Sequence, residues 1–122
     1  MTRVVCLGVC VVAVIAASGC SASKQSYLER GNKLFAEGRY DDAALKYRVA
    51  IQKDPGFGEA YYRLGLAAAK LNQTREAYSA LFRAVQLLPE NVRAKEKFAD
   101  VCLSVYLADP RHSQVLYNQI SN

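Results

Sequence analysis

The distribution of apolar and polar positions divides the chain into two unlike parts. Val4 to Ala17 is an almost unbroken apolar run, preceded by Arg3 and leading into Ala17-Ser18-Gly19-Cys20, and no further charge occurs before Lys24. Beyond Lys24, apolar and charged residues are mixed, and no segment sustains the two-residue alternation of a half-buried strand. The pattern predicts helices over about 24–37, 40–53, 58–71 and 74–87, then about 91–107 and a last one over 111–120. Local signals set the ends. Gly38 marks a turn, and Asp41 and Asp42 suit the positive end of the helix that follows. Thr74 reads as an N-cap with Glu76 behind it, and Asn91 as the cap of the fifth helix. Asp109-Pro110 is a cap followed by proline at a first helical position.

The apolar run is too short for a spanning helix, which needs about 20 residues. A charged start, a short apolar stretch and small residues before a cut site form the tripartite pattern of a secretory signal. The small residues ahead of Cys20 resemble the bacterial lipobox. Within that pattern the thiol of Cys20 is acylated, because a thiolate is a good nucleophile, and the peptide is cut just before it. Ala17 departs slightly, since leucine is commonest three residues ahead of the cysteine. The resemblance implies a lipoprotein signal peptide over 1–19 and a short tether over 20–25. Ser21 stands where the family's inner-membrane retention signal has aspartate, which implies the outer membrane, facing the periplasm.

Removal of the signal takes Cys6 and Cys10 with it and lipid occupies Cys20, so Cys102 alone remains and no intramolecular disulfide is expected. Of the 16 lysines and arginines, 15 remain without Arg3, against 11 acids, a net charge near +4. In an exported chain that balance suits anionic headgroups better than nucleic acid, which is not expected as a partner.

From Tyr27 onward the chain repeats itself. Tyr27, Gly31, Ala43, Ala50 and Pro55 recur as Tyr61, Gly65, Ala77, Ala84 and Pro89, every pair at the same spacing and with no gap. These residues and this period resemble the tetratricopeptide repeat (TPR), a unit of about 34 residues. Glycine inside a helix costs about 1 kcal/mol relative to alanine, so Gly31 and Gly65 imply close approach of a neighbouring helix, with Ala43 and Ala77 as its small partners. Pro55 and Pro89 end the second helix of each pair. The resemblance implies an all-α, short right-handed superhelix of antiparallel helix pairs. Its units are a first repeat over 24–57, a second over 58–91 and a divergent third repeat or capping pair over 92–122. Lys95, Arg111 and Asn118 break the third unit's pattern, whereas Ala99 keeps a small residue at the glycine position.

In that family the first helix of each pair lines a concave face. Carried over position by position, the face comprises Leu28, Asn32 and Phe35; Tyr62, Arg63, Leu66 and Lys70; and Arg93, Glu96, Lys97 and Asp100. Some members grip a peptide carboxylate with a lysine, two asparagines and two further cations. Asn32, Arg93 and Lys97 match that clamp, whereas Leu28 and Arg63 do not, which leaves a general peptide groove with a basic bias. The competing readings are structural. Tyr27 and Tyr61 are repeat-core aromatics, Leu28, Phe35 and Leu66 are packing between repeats, and the cations are a solvated face.

Nothing in the chain assembles chemistry. One histidine, His112, and one mature cysteine make neither a metal site nor a nucleophile pair. Gly56-Phe57-Gly58 is a linker without the pattern of a phosphate loop. The chain therefore reads as a non-enzymatic, cofactor-free protein-interaction module tethered to a membrane through Cys20, with a protein or peptide partner. The alternatives are a subunit that stacks on other repeat chains, self-association included, and a truncated form of a longer repeat protein. Replacing Cys20 with alanine is expected to abolish lipid labelling in a bacterial host and leave uncleaved precursor. Unchanged labelling would remove the anchor.

Overall fold

The computed structural model describes residues 22–112, 114 and 118. The expected signal segment, Cys20 and most of the helix expected over 111–120 lie outside the described residues. Five helices follow one another: α1 (Lys24–Ala36), α2 (Tyr40–Lys53), α3 (Gly58–Lys70), α4 (Thr74–Leu87) and α5 (Val92–Ala108). Among the described residues there is no strand. Both ends of α1 and of α2 recur one repeat later as the ends of α3 and α4, and the start of α3 recurs as the start of α5.

The turns explain this regularity. Gly38 has φ +77° and Asn72, its counterpart in the second repeat, has φ +57°. Only glycine and, less readily, asparagine adopt that left-handed conformation without serious strain. At each site two backbone bonds close the helix end: Gly38 N to Phe35 O (3.0 Å) and Arg39 N to Leu34 O (2.9 Å), then Asn72 N to Ala69 O (3.2 Å) and Gln73 N to Ala68 O (2.9 Å). This is the Schellman arrangement. It also corrects the expected cap at Thr74. The residue before α4 is Gln73, whose side chain makes no capping bond, and Thr74 is the first helical residue. The Schellman bond holds Gln73 at the helix entrance, as it holds Arg39 before α2. Side-chain caps occur at the looser entries instead. Ser23 Oγ accepts from Ser26 N at 3.2 Å and Asn91 Oδ1 from Ala94 N at 3.0 Å.

The third unit departs at the same turn. Tyr106 occupies the position of Gly38 and Asn72, and an aromatic residue does not take φ > 0 cheaply. The helix runs on, so α5 has 17 residues where α1 and α3 have 13. Its packing nevertheless keeps the register. α5 lies against α4 and α3 as α3 lies against α2 and α1, and Ala94 is as fully buried as Ala60, its counterpart one repeat before. Beyond α5, Pro110 to His112 are again helical and Asp109 Oδ1 accepts from Arg111 N at 2.9 Å, the expected cap-then-proline start.

The core is built from small residues and two large ones. Ala43, Ala50, Ala77 and Ala84 are fully buried, and Tyr47 and Leu81 are the largest fully buried side chains. A Cβ on Gly31 would stand 2.5 Å from the Tyr47 ring, and one on Gly65 would stand 2.5 Å from Leu81 Cγ. The glycines therefore make room for Tyr47 and Leu81, one turn beyond the expected partners Ala43 and Ala77. Tyr47 and Leu81 hold the same position in successive repeats, so one large side chain per pair fills the gap left by one missing Cβ.

Exposed apolar residues gather at the other end. Tyr78, Phe82 and Phe98 form a cluster with ring centroids 5.3–6.3 Å apart. Tyr78 is 42% exposed, whereas Ala44, its counterpart in the first pair, is 1% exposed in the core cluster. Gly65→Ala is expected to destabilise the fold by about 1–3 kcal/mol, because overpacking against Leu81 outweighs the gain of about 1 kcal/mol in helix propensity. Urea denaturation followed by circular dichroism measures it.

Candidate functional site

The first helices of the pairs approach one another: α1 touches α3 and α3 touches α5. The second helices stand further apart, and α2 and α4 meet through the ion pair of Arg48 with Glu76, 2.5 Å. A stack whose α1, α3 and α5 layer is the closer one curves with that layer inside. On this inner layer Phe35, Leu66, Ala69, Lys70 and Lys97, from three successive helices, line one cavity of ≈ 420 Å³. Its floor is apolar and its rim carries two ammonium groups.

Four of the eleven residues expected on the concave face meet in this groove: Phe35, Leu66, Lys70 and Lys97. Phe35 lines the groove and also packs against the core, meeting Tyr40 edge-on at 5.0 Å. Lys97 shares its charge with Asp100 at 3.2 Å, one turn along α5. Leu28 is buried in the core at 5% exposure, so its packing role prevails over the groove. Arg63 is half-buried, bonded to Glu59 at 3.0 Å and stacked over Tyr62 at 5.9 Å. Arg93 is exposed in the first turn of α5, and no ion pair holds it among the described residues. Tyr62, Arg63 and Arg93 lie outside the lining of the cavity.

Asn32 is placed by a residue that the sequence pattern did not single out. The Tyr47 hydroxyl, reaching past Gly31, donates to Asn32 Oδ1 at 2.9 Å. With its carbonyl oxygen occupied, the Asn32 amide offers its N–H groups as donors. Burial pushes the Tyr47 phenol up to about 12; nearby Arg63 opposes the shift and Glu59 adds to it. The hydroxyl is thus a proton donor across the physiological range. Ala69, which completes the groove floor, is also absent from the sequence reading. Its signal was its place one residue before Lys70 on the same inward-facing turn.

Among the described residues no group of three or more His, Cys, Asp or Glu side chains could hold a metal ion. The surface offers apolar contact, amide donors and ammonium charge.

Residues 31–72 match the family model described as TPR repeat. Over those residues the chain is similar to TPR repeats. Its TPR segment is similar to the PEX5-related proteins of mouse and human, each 31% identical over 94 residues and covering 77% of this chain. The peroxisomal targeting signal receptor of Yarrowia lipolytica is 39% identical over 57 residues, 47% of this chain. This chain spans between 10% and 16% of the length of these three relatives. Among solved structures, the first TPR of Spaghetti (RPAP3) bound to an HSP90 peptide aligns with TM-score 0.40 and 21% identity. The alignment covers 68% of this chain and 93% of that one. TPR stacks are a protein-interaction fold whose repeat curvature creates extended concave surfaces.

The Tyr47 hydroxyl is expected to ionise near 12, visible as a late step in an ultraviolet pH titration that is absent from Tyr47→Phe. The folded value lies above the unfolded one. The stability it contributes is therefore full below about pH 10 and is lost as pH rises towards 12.

Proposed function

We propose that the chain is a membrane-tethered interaction module that holds an extended or helical segment of a partner protein against the inner face of its TPR stack. The observation that carries this reading is the cavity shared by α1, α3 and α5, with Phe35, Leu66 and Ala69 as floor and Lys70 and Lys97 at the rim. An apolar floor supplies affinity through buried area, and the cations bias the choice towards segments with acidic residues. Asn32, oriented by Tyr47, adds a donor for a backbone carbonyl. The tether rests on the apolar run from Val4 to Ala17 and on Cys20 after small residues. Acylation with several chains at that position anchors stably where a single chain does not. An envelope role at the outer membrane, in assembly, secretion or polysaccharide export, follows from that tether.

The rival reading, a subunit extended by stacking on other repeat chains, meets an obstacle at the α1–α2 end. Lys33 and Lys46 stand there at the positions of Ala67 and Ala80, which are at most 4% exposed where the second pair packs on the first. Two long cations in place of two methyl groups keep a neighbouring repeat away.

A photo-crosslinking amino acid in place of Ala69 is expected to capture a partner in envelope extracts, and the same group in place of Arg83, exposed on α4, is not. Combining Lys70→Glu and Lys97→Glu should lower the Ala69 adduct by about tenfold, the size of a reversed charge contact or more. Equal capture from both positions would place the partner elsewhere.

A further inference from the structure

The end face of the first helix pair carries a second feature, independent of the groove. Arg30, Lys33, Leu34, Glu37, Arg39 and Lys46, from α1 and α2, line a cavity of ≈ 300 Å³. Four cations face one carboxylate there, a net charge of +3. Arg39 is already engaged by Asp42 at 2.6 Å and lies 3.9 Å from Glu37. Among the described residues, Arg30, Lys33 and Lys46 make no ion pair, and Arg30 has only the Tyr27 ring, 5.7 Å from its guanidinium carbon.

The register shows what this face replaces. Arg30, Lys33, Leu34 and Lys46 correspond, one repeat on, to Leu64, Ala67, Ala68 and Ala80, all buried. In the second pair these positions are the surface that packs on the first. A terminal repeat needs a polar outer face for solubility, and mixed charge would serve. The substitutions here are cationic at three of the four positions. Uncompensated positive charge gathered around a concavity costs self-repulsion, which a bound anion relieves.

We propose that this cavity is an anion site for a phosphate group, carried by a phospholipid headgroup or by a soluble phosphate. At ≈ 300 Å³ the cavity has room for a group of phosphate size. The Arg30 fork and the point charges of Lys33 and Lys46 suit the tetrahedral oxygens.

The test uses the full chain in neutral detergent micelles, with amide and side-chain nuclear magnetic resonance as readout. In one arm pyrophosphate is titrated, and in the other phosphatidylglycerol is doped into the micelles, with phosphatidylcholine as control. Shifts confined to Arg30, Lys33, Arg39 and Lys46, saturating with either probe, are expected. Response to pyrophosphate alone assigns a soluble ligand, and response to phosphatidylglycerol, with or without pyrophosphate, admits the headgroup. The Lys33→Gln, Lys46→Gln double variant, which keeps side-chain bulk, should retain its helical spectrum and weaken binding by about tenfold or more. No saturable shift with either probe, equal shifts from sodium chloride at matched ionic strength, or an unaltered affinity in the double variant would overturn the site. So would saturation at these residues by polyglutamate with none by the two phosphate probes.

Discussion

The fold depends on one steric exchange made twice: a missing Cβ on the inner helix admits a large side chain from the outer one. Gly31 leaves room for the Tyr47 ring and Gly65 for Leu81, each within 2.5 Å of where a Cβ would stand. Close-packed interiors make such an exchange nearly digital, since one methylene too many forces the helices apart. Around each contact the neighbours are alanines at zero exposure, which lets backbones approach without leaving voids. The exchange also reaches the candidate site. Because the ring passes over Gly31, the Tyr47 hydroxyl emerges beside Asn32 on the inner layer, and a packing residue becomes the orienting partner of a groove residue.

The turns between paired helices hold the second constraint. A Schellman turn needs a residue with φ > 0, and Gly38 and Asn72 supply it. Tyr106 does not, so α5 overruns, although its contacts with α3 and α4 keep the repeat's geometry. Packing register and turn register are therefore separable in this chain. Ala94 preserves the first while Tyr106 abandons the second, and Tyr78 and Phe82 remain exposed beside α5.

These causes also decide what could be read beforehand. The helix ends and the pairing follow from glycine, alanine and proline at a fixed period, because those residues act through backbone geometry that any sequence displays. The cap at Thr74 misled, since a threonine before a helix resembles an N-cap, while the Schellman bond that held Gln73 there depends on Asn72 taking φ > 0. Ala43 and Ala77 were visible as small partners, yet the closest contact lay one turn on. Identity matching finds alanine paired with alanine and misses that Tyr47 and Leu81 play one part with different side chains. In the groove, Phe35, Leu66, Lys70 and Lys97 were legible from helix position. The separation of Arg63 from them was not, because it follows from the bond to Glu59, a partner that periodicity does not reveal.

The two ends of the described stack are chemically unlike, and this gives the assembly a direction. At α1 and α2 the positions that serve packing in the second pair hold Arg30, Lys33 and Lys46. At α4 and α5 the outward positions hold Tyr78, Phe82, Leu103 and Val105, each at least 42% exposed. Covering the aromatic end removes apolar area from water, worth roughly 25 cal/mol per Å². Covering the cationic end strips water from charges that no carboxylate neutralises, which costs far more than the small packing gain returns. Growth of the stack by further helices is therefore favoured at one end only. The other end is left for solvent, for anions and, under the proposed tether through Cys20, for the headgroup region beside which it would be held.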